Sequence, residues 1–141
     1  MIEGVKLLEV PIFADERGKL IQIFEETGNL PKARRVYIGK NWDKVTVRAF
    51  HKNFAETKYF FVASGAVKFH LVDDRPSSPT YRQQDKIILS AEKPTVLVVP
   101  AEVHNGWKAL TDDAVLLGIA DTTMAEHRDE RVPHDSFGVV W

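Results

Sequence analysis

The chain has no cysteine among its 141 residues. That excludes a disulfide framework, a thiolate nucleophile and a cysteine-ligated zinc site, and it suits a reducing compartment. The chain also lacks a dominant charge: 19 Lys and Arg against 20 Asp and Glu give a formal net charge of −1, with a pI near 6.5. Nothing in that balance points to nucleic acid or an anionic membrane surface, so an anionic ligand must be held by a local basic cluster rather than by the overall field. No apolar run approaches the length of a membrane span. Met1–Ile2–Glu3–Gly4–Val5–Lys6 has no basic region followed by an apolar core, so no signal peptide and a cytoplasmic location are expected. There is no Gly-x-Ser-x-Gly elbow, no Walker loop and no GxGxxG, which removes the usual marks of a serine nucleophile and of phosphate binding by a Gly-rich loop.

What is present is strand after strand. A hydrophobic fraction of 44% with 8 Phe is enough for a core, and residues 1–141 are read as a single domain. Apolar or alternating runs at 6–10, 19–25, 34–38, 45–51, 59–63, 66–72, 86–89, 95–99, 107–110 and 115–120 are separated by turn chemistry, including Thr27–Gly28–Asn29 with Pro31 and the breaker-rich loop 73–79. Residues 59–63 and 66–72, joined at Ser64–Gly65, read as a hairpin. In the second of these, Val67, Phe69 and Leu71 share one face. Residues 139–141 are a candidate last strand, 123–131 a candidate short helix, and the acidic–basic run 126–131 reads as turn and solvated surface. About ten short strands with almost no helix predict an all-β antiparallel sandwich or barrel. Its edges need protection, and a homodimer that pairs edge strands or exchanges the N-terminal segment is the expected solution.

The chemistry-bearing residues centre on Val47–Arg48–Ala49–Phe50–His51–Lys52. Residues three apart on a strand point to opposite faces unless the strand bulges or ends. The spacing of Arg48 and His51 therefore places His51 at the mouth of a sheet, as a general base or as a core histidine with satisfied hydrogen bonds. With no cysteine and no phosphate loop, the remaining constellation is acid–base: His51, Lys58, His104 and Asp135, with Arg17 and Arg48 to hold anions. Sequence spacing alone does not bring these together.

Several segments, in order, resemble the dTDP-4-dehydrorhamnose 3,5-epimerase family. Asp15–Glu16–Arg17–Gly18 resembles its opening D-x-R-G motif, and Val47–Arg48–Ala49–Phe50–His51 its V-x-R-G-x-H strand. The stretch from Gly65–Ala66–Val67 through Asp73–Asp74–Arg75 and Ser78–Pro79–Thr80–Tyr81 resembles its glycine-to-SPT segment. Val98–Val99–Pro100 with His104–Asn105–Gly106–Trp107 resembles its late turn, and Pro133–His134–Asp135 through Trp141 its W-N-D-P tail. The resemblance covers nearly the whole chain. It implies a cupin-type antiparallel jelly-roll and, as substrate, a nucleotide-linked (dTDP) 4-keto-6-deoxy sugar, epimerised or isomerised by proton abstraction next to the carbonyl in deoxysugar or polysaccharide biosynthesis. No metal and no organic cofactor are implied.

The same resemblance assigns roles. His51 becomes the base, Asp135 the carboxylate that orients it, and Lys58 the cation that meets the enolate. Arg17 and Arg48 would hold the diphosphate, His104 would line the sugar pocket, and Gln22 and Asn41 would contact the nucleotide. One departure stands out. Where the family carries a proton-donating tyrosine, this chain has Met124, and a thioether has no proton to give. Tyr37, Tyr59 or a water then has to supply the proton, or the reaction uses one face only as in a ketoisomerase, or the protein binds a nucleotide sugar without turning it over. A metal-dependent alternative uses His51, Glu56 and His104, a partial match to the ligands of metal-holding cupin barrels, with Ala49 and Asn53 where a paired His would stand.

Overall fold

The computed structural model describes residues 1–25 and 32–141, and every regular element among them is a β-strand. In chain order these are β1 (Lys6–Glu9), β2 (Ile12–Asp15), β3 (Gly18–Ile21), β4 (Arg35–Gly39), β5 (Val47–Asn53), β6 (Lys58–Ser64), β7 (Ala66–Asp73), β8 (Gln84–Ser90), β9 (Thr95–Val99), β10 (Val103–Ala109), β11 (Val115–Ala120) and β12 (Asp129–Arg131). One five-stranded sheet has the order β1-β9-β6-β11-β4 and a second has β12-β5-β10-β7-β8, while β2 and β3 form a separate hairpin. All pairings are antiparallel. This is the all-β antiparallel architecture that the strand spacing predicts, in the cupin-type jelly-roll form that the resemblance implies.

The core lies between the two sheets. The inward face of β7, Val67, Phe69 and Leu71, is fully buried against Phe60, Val62, Leu97, Val99 and Leu116, and the Phe60 and Phe69 ring centroids are 5.0 Å apart. Each such side chain stabilises the fold by about 1.5–3 kcal/mol. A second apolar cluster covers the outer face of the first sheet, where Tyr59, Phe61, Val96, Val98 and Ile119 pack beneath Ile21, Ile23 and Phe24. Burial on both faces is why residues 59–62 read as one continuous apolar run instead of an alternating one. On the outer face of the second sheet the C-terminal tail plays the same part: Phe137 and Trp141 pack on Phe50, with ring centroids at 5.0 and 5.4 Å.

Four local expectations are corrected. The segments at 59–63 and 66–72 are not a hairpin: β6 pairs with β9 and β11, β7 with β8 and β10, and Gly65 (φ +68°) turns the chain from one sheet to the other. The same positive-φ chemistry serves a corner and a tight turn. Residues 139–141 form no strand. Residues 123–131 form no helix; their last three are β12, added to the edge of β5. Residues 12–15, which the pattern did not mark, are β2. The expected turn at Thr27–Gly28–Asn29 and Pro31 lies outside the described residues.

The loop after β7 is built around one carboxylate. Asp73, buried, accepts bonds from Arg75 Nε (2.8 Å), Ser78 Oγ (2.6 Å) and Thr80 Oγ1 (2.6 Å). Burial alone would raise its pKa, but these donors outweigh it and hold the carboxyl far below the usual range. Arg75 and Thr80 also bind the backbone of Glu3, so the Ser-Pro-Thr segment pins the N-terminus to the second sheet.

Candidate active site

A cleft of about 550 Å³ opens between the sheets where β4 and β12 end them. The first sheet contributes Arg35, Tyr37 and Lys58, the second Arg48, His51, Asn105, Trp107, Asp129 and Arg131, and Met124 and His127 come from the segment before β12.

The meeting of Arg48 and His51 in one cleft has a local cause. Asn105 stands opposite His51, and Trp107 opposite Arg48. Two residues of β5, Ala49 and Phe50, thus span the place of Gly106 alone, which is a β-bulge. The bulge turns residues three apart to the same face. Gly106 is the residue this crowding requires, since a Cβ there would lie 2.3 Å from that of Ala49 and 2.9 Å from the Trp141 ring. The Asn105 side-chain amide donates to the His51 carbonyl at 3.0 Å and ties the bulged strand down.

His51 keeps 31% of its side chain exposed, and its Nδ1 lies 3.9 Å from Asp129 Oδ2. Burial pushes the imidazole pKa down, Asp129 pushes it up, and Lys58 and Arg131 push it down; the net shift is below 6.5. The imidazole is therefore mostly neutral at neutral pH, its Nδ1 faces a carboxylate, and among the described residues no group hydrogen-bonds its Nε2. Lys58, at the start of β6, is almost fully buried, and burial lowers its pKa against the opposing pull of Glu56 and Asp129.

Behind these residues lies a buried polar network. Glu56 Oε2 accepts bonds from Arg35 Nη2 (3.0 Å) and Thr122 Oγ1 (2.5 Å), and its Oε1 lies 3.8 Å from Lys58 Nζ. Burial raises the Glu56 carboxyl, but its bonds to Thr122 and His127 and the charges of Lys58 and Arg35 outweigh that, so it is held ionised. Asn53 Oδ1 accepts from the Ala55 N–H, which turns its amide nitrogen toward His127 Nδ1 at 2.9 Å. The same His127 Nδ1 lies 3.2 Å from Glu56 Oε2, and its Nε2 faces Asp129 Oδ1 at 3.8 Å. Asp129 thus stands between two histidines.

The residues singled out by sequence divide into two sets. His51, Lys58 and Arg48 line the cleft. Asn41 lies behind it, where its Oδ1 accepts from Arg48 Nε at 2.6 Å and helps hold the guanidinium over Trp107. The other four are elsewhere. Among the described residues the carboxylate within ion-pair reach of His51 is Asp129, not Asp135, which is exposed in a turn closed by the Gly138 N–H on the Asp135 carbonyl. His104 points to the outer face of its sheet, buried against Phe137 with Nε2 3.4 Å from Asp74, and does not line the cleft. Arg17, 86% exposed, sits on the β2–β3 hairpin paired with Asp15, and Gln22 bonds Glu25 beside the outer apolar cluster. The alternative ligand set His51, Glu56 and His104 is likewise dispersed, and no three His, Asp or Glu side chains among the described residues are grouped to hold a metal ion.

The residues that sequence reasoning missed are His127, Asp129 and Arg131. All three line the cleft, and their spacing of two in a run read as solvated surface was the available signal. Arg35, which reaches Glu56 from β4, gave none.

Comparison with known proteins gives a consistent result. The family model described as dTDP-4-dehydrorhamnose 3,5-epimerase matches residues 1–141. A dTDP-4-dehydrorhamnose 3,5-epimerase of Streptomyces griseus is 31% identical over 99% of this chain and 74% of its own length. The probable low-salt glycan biosynthesis epimerase Agl13 of Haloferax volcanii is 26% identical over 95% of this chain and 89% of its own. Among solved structures, the dTDP-4-dehydrorhamnose 3,5-epimerase of Bacillus anthracis with TDP and PPi bound superposes with a TM-score of 0.87 at 27% identity, covering 98% of this chain and 85% of that one. ChmJ, a 3'-monoepimerase of Streptomyces bikiniensis in complex with dTDP-quinovose, superposes with a TM-score of 0.87 at 25% identity, covering 99% and 76%.

Proposed function

This chain belongs to the dTDP-4-dehydrorhamnose 3,5-epimerase family, and from that premise we propose that it shifts a proton next to the carbonyl of a nucleotide-linked 4-keto-6-deoxy sugar in sugar biosynthesis. The observation that carries the reading is the placement of a neutral His51 beside Asp129 in a cleft that also presents Lys58. Proton abstraction next to a ketone needs a base that is free near pH 7, and burial has given His51 that state. As His51 Nε2 takes the proton, Asp129 stabilises the imidazolium from the Nδ1 side. The electron pair left behind moves onto the ketone oxygen, where the buried Lys58 ammonium meets it. Arg48, held by Asn41, supplies the diphosphate contact. The reaction so written uses protein side chains alone.

The protein acts as a cytoplasmic homodimer of single domains in this reading. Ile12, Phe13 and Leu20 on the β2–β3 hairpin and Val36 and Ile38 on the outer face of β4 are exposed large apolar side chains, which a second copy would cover. Arg17 and Gln22, outside the cleft of their own chain, would then be available to the cleft of the partner.

The test is incubation with a panel of dTDP-4-keto-6-deoxy sugars in D2O. Deuterium entering the ring next to the carbonyl supports the reading, and no exchange with any of them rejects it. The exposed Met124 at the cleft favours one competing outcome, binding without turnover. Tight binding of dTDP together with no exchange selects that outcome.

A further inference from the structure

Inversion at carbon needs a proton removed from one face and another delivered to the opposite face. His51 serves one face from the second sheet, and Met124, which lines the cleft, has no proton to deliver. Of the two tyrosines that sequence offers as substitutes, Tyr59 belongs to the apolar cluster on the outer face of the first sheet, edge-on to Phe24, and does not line the cleft. Tyr37 does line it.

Tyr37 comes from β4, on the wall opposite β5. Along β4, Arg35, Tyr37 and Gly39 turn inward while Val36 and Ile38 face out. Its cross-strand partner is Gly118 of β11. A Cβ on Gly118 would lie 2.2 Å from Tyr37 Cζ and 2.7 Å from its hydroxyl oxygen, so the phenol lies directly on bare backbone. Any side chain at position 118 would lift the ring from that seat. Among the described residues no group hydrogen-bonds the Tyr37 hydroxyl, which leaves its proton uncommitted.

We infer that the Tyr37 hydroxyl is the acid that protonates the reacting carbon on the face opposite His51, so that this chain inverts configuration although Met124 replaces the usual tyrosine. The inference rests on the proton-abstraction reading above. His51 Nε2 takes the proton as the C–H bond breaks, and the bonding pair becomes the enolate with its charge on the ketone oxygen. That pair then returns to carbon and takes the Tyr37 proton, which leaves a phenolate, and solvent restores the proton to the phenolate and removes that of the imidazolium. Burial, with Glu56 adding to it, pushes the Tyr37 pKa up to about 12, so the phenol is fully protonated at neutral pH, and the nearby Arg35 guanidinium opposes that shift and offsets the charge of the phenolate once formed.

The experiment follows two signals in one NMR sample of enzyme and dTDP-4-keto-6-deoxy sugar in D2O: deuterium incorporated with retained configuration, and inverted product. Their ratio is independent of the folded fraction. Wild type should give both. Tyr37→Phe should keep exchange within about threefold and lose inversion by about 100-fold or more, the usual contribution of a positioned acid. Gly118→Ala, which displaces the ring without removing the hydroxyl, should lower the same ratio. The inference is overturned if Tyr37→Phe or Gly118→Ala leaves the ratio at the wild-type value, or if wild type exchanges without ever inverting. A wild-type enzyme that shows no exchange at all overturns the function reading and this inference with it.

Discussion

Replacing Asp129 by Asn removes one charge and almost no volume. The Asp129 Oδ2 to His51 Nδ1 separation is 3.9 Å. Two unit charges at that distance interact by about 1 kcal/mol in a water-like medium and about 4 kcal/mol at an effective dielectric of 20. With the two side chains 15% and 31% exposed, an intermediate value of about 2 kcal/mol is appropriate. The imidazolium that forms as His51 takes the proton loses that stabilisation, so proton abstraction should slow roughly 30-fold. Loss of that charge should also lower the His51 pKa further. Asp129 is a pKa-raising influence on an imidazole whose net shift is already downward. The acid limb of the pH–rate profile, where activity is lost as His51 becomes protonated, should therefore move to lower pH in the variant. The assay is deuterium exchange by NMR from pH 4.5 to 8.5 with saturating dTDP-4-keto sugar, run beside Asp135→Asn. The exposed Asp135 should be silent. An Asp129→Asn enzyme within threefold of wild type with an unmoved acid limb, or a loss of comparable size in Asp135→Asn, would refute the reasoning.

Lys58→Met keeps the aliphatic packing and removes the cation, and exchange should fall about 100-fold, the scale of one lost oxyanion donor, with dTDP affinity by calorimetry unchanged. In wild type, activity should also decline on the alkaline side as pH rises through a Lys58 pKa below its ordinary 10.5, and a profile flat to pH 10.5 would contradict that role. Asp73→Asn weakens charge-assisted bonds from Arg75, Ser78 and Thr80 at a buried position, and urea unfolding should show a loss of about 3 kcal/mol. Because the folded pKa of Asp73 is depressed, its contribution is fully present above the unfolded value near 4 and is lost as pH falls through the folded one. Acid titration of wild-type stability should thus be steeper than that of Asp73→Asn.

The apolar framework was legible because its signals are local. Residues 95–99 and 115–120 are bounded apolar runs, and both are strands with the expected limits. Val67, Phe69 and Leu71 alternate, and all three are buried in the core. What the sequence hid depends on tertiary partners. Asp129–Glu130–Arg131 is polar and short, and it is a strand only because the edge of β5 accepts it, with Arg131 opposite His51 and Glu130 opposite Lys52. Once there it delivers Asp129 to His51, a pairing that resemblance had given to Asp135. The placement of His104 was missed for a related reason: alternation along β10 sends its neighbour Asn105 into the cleft and His104 to the opposite face, under Phe137. The bulge at Ala49–Phe50 needs Gly106 opposite it, on a strand some fifty residues away in sequence, so the joint orientation of Arg48 and His51 could be posed from sequence as a question but not answered.

The most direct test of the central claim compares wild type with His51→Ala in D2O, on a dTDP-4-keto-6-deoxy sugar, with exchange next to the carbonyl followed by NMR. The account predicts exchange in wild type and a loss of at least about 1,000-fold in His51→Ala, with dTDP still bound. Exchange at the wild-type rate without the imidazole would contradict it.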